Sequence, residues 1–204
     1  LSVEYPGKKI LDNVNFEVAE GDWIMIVGPN GAGKTTITNA IAQSLPYSGE
    51  ILFQDKNLKN MKPIERAKNI GVLMQNHYVA YSFSVREVVS LGRYSYNKSI
   101  FYTHEEAEDS MIDEALLKTG MKKLEHQSVL TLSGGELQRA FLAQLITQNP
   151  QLMILDEPTN HLDMAYQEQT FDLIRDWLKA GKRAAISVVH DLRLARMFGT
   201  KALL

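Results

Sequence analysis

Apolar and polar positions along the chain first mark strand-like pieces over residues 1–18. There Val14, Phe16 and Val18 alternate with polar Asn15 and Glu17, the period of a half-buried strand. Glu20-Gly21-Asp22 makes the turn into Trp23-Ile24-Met25-Ile26-Val27, an apolar run too short for a helix and the right length for a buried strand. A helix is expected over residues 34–45, where Ile37, Ile41 and Leu45 share one face. Ser48-Gly49 then turns into a short strand over 50–53. Pro63 opens a short helix ending near Asn69, and a further buried strand over 70–74 stops at Gln75.

From residue 76 to about 148 the strand signal fades and helix starts take over. Ser84-Val85-Arg86-Glu87 is a capping box opening a helix to about Leu91, and Thr103-His104-Glu105-Glu106 is a second, whose helix Gly120 can end. Ser133-Gly134-Gly135-Glu136 is a third, leading into residues 137–147 before Pro150. Tyr94, Tyr96, Phe101 and Tyr102 fall between helices, as core plugs or as an exposed contact surface. The strand pattern resumes at Leu152-Met153-Ile154-Leu155 and ends in Asp156-Glu157. A helix over 164–179, with Phe171, Ile174, Trp177 and Leu178 on one side, is closed by Gly181, and a strand over 183–189 stops at His190-Asp191. Such alternation argues a mostly parallel sheet, whose ligand sites lie at the carboxyl ends of strands. Residues 1–75 and 149–204 are expected to form the core and 76–148 a helical insert.

Composition changes this picture little. The chain is 45% hydrophobic and 23% charged, enough for a full core, and its net charge of −2 gives no support to nucleic acid as a partner. The absence of cysteine excludes disulfides and cysteine-ligated metals. No apolar run approaches the ~18 residues of a membrane span. Both ends read as cut, since Leu1 is not a start and Lys201-Ala202-Leu203-Leu204 stops inside a strand pattern.

The chemistry begins at Gly28-Pro29-Asn30-Gly31-Ala32-Gly33-Lys34-Thr35-Thr36. A strand, a glycine-rich turn of spacing Gly-x4-Gly-Lys-Thr and a helix form the context of a phosphate-binding loop. Glycines let successive N–H groups curl toward phosphate oxygens, and the helix N-terminus adds partial positive charge. Lys34 is then placed for the β- and γ-phosphates of a nucleotide, and the Thr35 hydroxyl for Mg²⁺. Asp156, after four apolar residues, is the matching Mg²⁺ carboxylate. Glu157, aimed differently by the turn, can orient or deprotonate the attacking water; His190 can donate to the γ-phosphate; and the Gln75 amide can reach both γ-phosphate and Mg²⁺. Ser133, Gly134, Gly135 and Glu136 make a second capped, glycine-bearing helix start, which a two-fold partner's nucleotide can occupy.

This ordered set, GPNGAGKT, Gln75, LSGGELQ, LMILDEP, Asn160-His161-Leu162-Asp163 and His190, resembles the nucleotide-binding subunit of ATP-binding cassette (ABC) transporters over nearly the whole chain. The resemblance implies an ATPase with ATP and Mg²⁺ as ligands, sandwiched in a head-to-tail homodimer. By position, Tyr5 resembles the adenine-stacking aromatic and Asp163 the residue that communicates across the dimer. Pattern and resemblance together set the expected fold: α/β, a P-loop NTPase (RecA-like) core with a mostly parallel sheet, an N-terminal antiparallel β part and an inserted helical subdomain. The stretches VLMQNHYVAYSFSVREVVSLGR, TGMKKL and HLDMAYQ resemble the ATPases of iron(III)-siderophore, haem and cobalamin importers. That implies an integral membrane permease as partner and a solute-binding protein acting indirectly. It also implies a peripheral location on the cytoplasmic face of the membrane, with Gln75 as hinge and residues 76–83, including His77, Tyr78, Tyr81 and Phe83, as docking groove. Gln127 stands where such importers often carry Arg, and Gln144-Leu145 where Arg-Ala is usual. A ribosome-acting soluble ABC protein, whose branch also favours DEPTNHLD, and a DNA-repair ATPase are the alternatives; the latter needs a long coiled coil, and no sustained heptad is visible.

Overall fold

The structure, a computed structural model, describes residues 1–75, 79, 81–96 and 106–204. The expected capping box at 103–106 lies largely outside the described residues, as do His77, Tyr78, Phe101 and Tyr102. In chain order the elements are β1 (Val3–Tyr5), β2 (Lys8–Leu11), β3 (Trp23–Ile26), α1 (Lys34–Ile41), β4 (Leu52–Phe53), β5 (Lys56–Asn57), α2 (Pro63–Asn69) and β6 (Ile70–Leu73). There follow α3 (Val85–Ser90), α4 (Glu106–Lys118), α5 (Gly134–Gln148), β7 (Leu152–Asp156), α6 (Met164–Lys179), β8 (Ala184–Val188), α7 (Leu192–Phe198) and β9 (Lys201–Leu203). A five-stranded sheet in the order β6-β7-β8-β3-β9 is parallel throughout, and β1-β2 and β4-β5 are antiparallel hairpins.

The central strands read as continuous apolar runs because both faces of a parallel sheet are covered. Trp23 and Met25 face one layer with Phe171, Ile174 and Trp177 of α6, Leu194 and Phe198 of α7 and Leu142 of α5. Ile24 and Ile26 face the other, with Ile37, Ala40 and Ile41 of α1 and with Val3 and Leu11 of the first hairpin. A third cluster is built within the helices from Val85, Val88 and Val89 of α3, Ile112, Ala115 and Leu116 of α4, and Ala140 and Ala143 of α5. Arg86 ties that layer together by bonding Asp109 and Asp113 of α4 and Glu125 beyond it.

Several expectations shift on folding. Residues 14–18 keep the alternation, with Val14, Phe16 and Val18 half-buried, but are not a strand: Leu1 and Val14 exchange hydrogen bonds, and no ladder continues past them among the described residues. Helix α1 ends at Ile41, short of Leu45, because Gln43 turns left-handed (φ 61°). Gln43 N–H bonds to Ala40 O and Ser44 N–H to Asn39 O, a Schellman stop without glycine. The strand expected over 50–53 is only Leu52–Phe53, folded onto β5 through Gln54 and Asp55, both at positive φ as a type I′ hairpin requires. Tyr94 and Tyr96 divide the two readings between them. Tyr94 is 74% exposed, whereas Tyr96 is half-buried with its hydroxyl donating toward Lys68 O and Gln148 O. They sit in a 3-10 segment, Leu91–Tyr96, whose Gly92 lies so close to α5 that a Cβ there would meet Gln144 O at 2.4 Å. Helix α7, absent from the sequence expectation, starts where the Asp191 carboxylate accepts from Arg193 N–H and Leu194 N–H.

Candidate functional site

The parallel pairing decides where the chemistry gathers. Leu73 pairs with Leu155, Asp156 with Val188 and Ile26 with Val188, so β6, β7, β8 and β3 finish at one level. Residues 27–33 leave β3 there and curl into α1. Gly33 sits at φ 92°, and a Cβ on it would fall 2.8 Å from Leu11 Cδ2, so both backbone and space demand glycine. Gly33 gives α1 no side-chain cap, and its first turn holds no acidic residue. The helix therefore presents its partial positive charge to whatever the loop encloses. Lys34 Nζ folds back over the loop, donating to Gly28 O (2.8 Å) and Pro29 O (3.0 Å).

Asp156 closes β7 at 1% exposure. Its Oδ1 accepts from the Thr35 hydroxyl at 3.3 Å, while buried Oδ2 has no hydrogen-bond partner. Burial pushes the carboxyl above the ordinary aspartate range; the Thr35 hydrogen bond opposes this, and neighbouring Glu157 adds to it. An orphaned carboxylate oxygen beside a threonine hydroxyl fits a hard cation that takes few protein ligands, as Mg²⁺ does. No group of three or more His, Cys, Asp or Glu is gathered for a metal among the described residues.

Glu157 turns sharply after β7, with φ 52°, a conformation rare for such a residue. Its N–H bonds to Val188 O at 3.1 Å. The carboxylate is held from both sides: Gln75 Nε2 donates to Oε2 at 2.9 Å, and His190 Nε2 lies 2.6 Å from Oε1. Gln75, Glu157 and His190 thus form one chain of contacts beside Asp156.

Other predicted residues stand apart from this group. Tyr5 ends β1 and is half exposed; its hairpin reaches the phosphate loop through Leu11 and Ile10, both near Gly33. Ser133 and Glu136 satisfy each other: Ser133 Oγ accepts from Glu136 N–H and donates to the Glu136 carboxylate, which also accepts Ser133 N–H. Those hydrogen bonds hold the Glu136 carboxyl below its usual range. Gly134 and Gly135 pack against His161, and no hydrogen bond joins this cap to the phosphate loop among the described residues. Asp163 caps α6 by accepting Tyr166 N–H at 3.0 Å. Of the departures noted above, Gln127 bonds Thr131 on the surface, and buried Leu145 packs where Gly71 has no side chain. Gln138 closes the LSGGELQ stretch, but sequence reasoning gave it no role of its own: it is a buried residue of α5 whose amide donates to Pro158 O, which its spacing does not announce. A cavity of about 660 Å³, lined by Phe16, Ile51, Ile70, Leu152 and Ile186 among others, contains no predicted site residue and lies away from this chemistry.

A parallel sheet ending in a glycine-rich loop, a buried carboxylate beside the loop threonine and a clamped second carboxylate define a P-loop type of nucleotide-binding protein. Residues 11–160 match the ABC transporter family, and the chain belongs to that family. It is 38% identical over 199 residues to the uncharacterized ABC transporter ATP-binding protein YvrA of Bacillus subtilis (strain 168), covering 97% of this chain and 45% of that protein. It is 34% identical to the cobalamin import ATP-binding protein BtuD of Halobacterium salinarum (97% of this chain, 49% of that one). With the petrobactin import ATP-binding protein FpuD of Bacillus anthracis the identity is 33% (96% and 71%). The chain thus spans about half the length of the first two relatives. Its fold is that of an ABC cassette: a dimeric ATP-binding cassette solved in a post-hydrolysis state with ADP and Pi superposes with a TM-score of 0.88 at 24% identity, over 99% of this chain and 89% of that one.

Proposed function

We propose that the chain is the ATP-hydrolysing subunit of an ABC importer, powering uptake of an iron(III)-siderophore through a separate membrane permease. The clamped Glu157, one residue past buried Asp156 and level with the phosphate loop, carries the hydrolytic part of this reading. The import part rests on relatives named for petrobactin, cobalamin and hemin import, and haem and cobalamin stand behind the iron chelate as cargo.

In this reading the loop N–H groups of residues 28–36 cradle the phosphates, and Lys34 exchanges its carbonyl partners for β- and γ-phosphate oxygens. Tyr5 stacks on adenine. Thr35 and Asp156, with Gln75, are the residues that would hold Mg²⁺, which when bound supplies neutralisation of phosphate charge. Glu157 accepts the proton of the attacking water, and His190 donates toward the γ-phosphate oxygen that gains charge. Excluding bulk water from this level of the sheet strengthens each of these interactions.

A second copy of the chain completes the site, its Ser133, Gly134, Gly135 and Glu136 covering the γ-phosphate while Asp163 senses the partner. Residues 76–148 move as the helical unit against a core of 1–75 and 149–204, with Gln75 as hinge. Exposed Tyr81 and Phe83, ring centroids 6.1 Å apart, offer an aromatic surface for the permease. The chain would then sit at the cytoplasmic face of the membrane, touching no nucleic acid and meeting the solute-binding protein only through the permease. The test is ATP-driven uptake into vesicles carrying the assembled complex. Accumulation of an iron(III) chelate supports the reading; no uptake of iron chelate, haem or cobalamin removes the importer assignment and leaves the ATPase assignment standing.

A further inference from the structure

Gln138 lies near the start of α5 at 3% exposure, and its Nε2 donates to the carbonyl oxygen of buried Pro158 at 3.3 Å. A buried amide costs desolvation unless it is bonded, and an apolar side chain of equal size would pack without that cost. The hydrogen bond is therefore what the glutamine supplies. Its acceptor is the carbonyl next after Glu157, whose left-handed backbone persists only where its surroundings over-determine it.

Within the turn Asn160 N–H bonds to Glu157 O at 3.0 Å, and Glu157 N–H ties the turn to the end of β8 at Val188 O (3.1 Å). Helix α5 adds ties from outside. Gly135 brings its backbone so near the same turn that a Cβ would lie 3.0 Å from His161 O, and the Arg139 guanidinium stacks 4.1 Å from the Tyr166 ring. Of these, the Gln138 bond acts nearest to Glu157.

We propose that Gln138 is a positioning residue for ATP hydrolysis: through Pro158 it holds the 157–163 turn in the shape that aims Glu157 between Gln75 and His190. This rests on the ATPase reading above. Gln138 touches no residue of the phosphate loop by a hydrogen bond among those described, so its effect falls on turnover and not on nucleotide affinity.

The test is Gln138→Met, which keeps length and removes the donor, with Gln138→Leu as second variant should the first fold poorly. ATP affinity, kcat and amide hydrogen exchange over 157–163 are measured in wild type and variant, with Glu157→Gln alongside. The expected result is a kcat about tenfold lower, the size of one hydrogen bond, with ATP affinity within about twofold. Exchange over 157–163 should rise while that over 106–118 stays unchanged. Unchanged kcat, or unchanged exchange in that turn, would overturn the proposal. Wild-type turnover surviving Glu157→Gln would also overturn the proposal, by removing Glu157 as the base. Absence of ATP hydrolysis by the wild-type chain would instead sink the ATPase reading, and the exchange arm would still decide whether Gln138 holds the turn.

Discussion

Replacing Asp156 by Asn should stabilise the nucleotide-free protein at neutral pH while removing most of its stabilisation by Mg²⁺-ATP. The carboxylate is 1% exposed, one oxygen has no partner, and the other has only the Thr35 hydroxyl at 3.3 Å. Burial raises its pKa above the ordinary range, so the folded protein holds this proton more tightly than the unfolded chain does. A carboxyl raised in the folded state favours folding most below its unfolded pKa of about 3.9 and progressively less as pH rises through the folded value. At pH 7 the buried charge is therefore a net cost. An amide of the same shape removes it, at the lesser cost of burying a neutral group, for an expected gain of about 1–3 kcal/mol. In a chain of this size that is a rise in Tm of roughly 2–4 °C per kcal/mol. Wild type should gain about 2.7 kcal/mol from Mg²⁺-ATP at a hundred times its Kd, and the variant far less. Thermal melts with and without Mg²⁺-ATP, at pH 7 and near pH 4, measure all of this. An Asn variant less stable than wild type at pH 7, or a stability difference that does not narrow toward acid pH, refutes the reasoning.

Tyr5→Ala should weaken ATP binding by about 1–3 kcal/mol, the range of a base stack, with kcat nearly unchanged; an unaltered Kd in titration calorimetry would leave Tyr5 as a strand residue only. Gly92→Ala should destabilise by about 1–3 kcal/mol in urea unfolding, because the new Cβ meets backbone atoms of α5, Gln144 O at 2.4 Å and Gln148 N at 2.8 Å, which cannot move aside as a side chain would. A wild-type midpoint in that experiment would mean that the 3-10 segment and α5 are less tightly packed than described.

Strand and helix identity were legible where one face decides them. The β3 and β7 runs, the Pro63 start of α2 and the Met164–Lys179 bounds of α6 all follow from apolar spacing and caps. Failures came where hydrogen bonding, not pattern, fixes the backbone. Residues 14–18 alternate as a strand should yet form no ladder, and Gln43 stops α1 in a conformation that its residue type does not announce. Helix α7 carried a readable signal, an Asp cap with Leu194 and Phe198 four apart, hidden beside the His190 strand end. In the site, Asp156 and Glu157 were readable because a strand end is a sequence feature. The Gln75–Glu157–His190 clamp and the Gln138–Pro158 bond join residues far apart in sequence, and only folding brings them together.

The central claim is that Glu157 is the base for hydrolysis at this strand-end site. Its most direct test is single-turnover hydrolysis of Mg²⁺-ATP by wild type and Glu157→Gln, with nucleotide binding measured on the same samples. Binding should be retained, the rate should fall by about 10² or more, and a nucleotide-bound dimer should persist in light scattering. Near wild-type turnover in the Gln variant would contradict that claim.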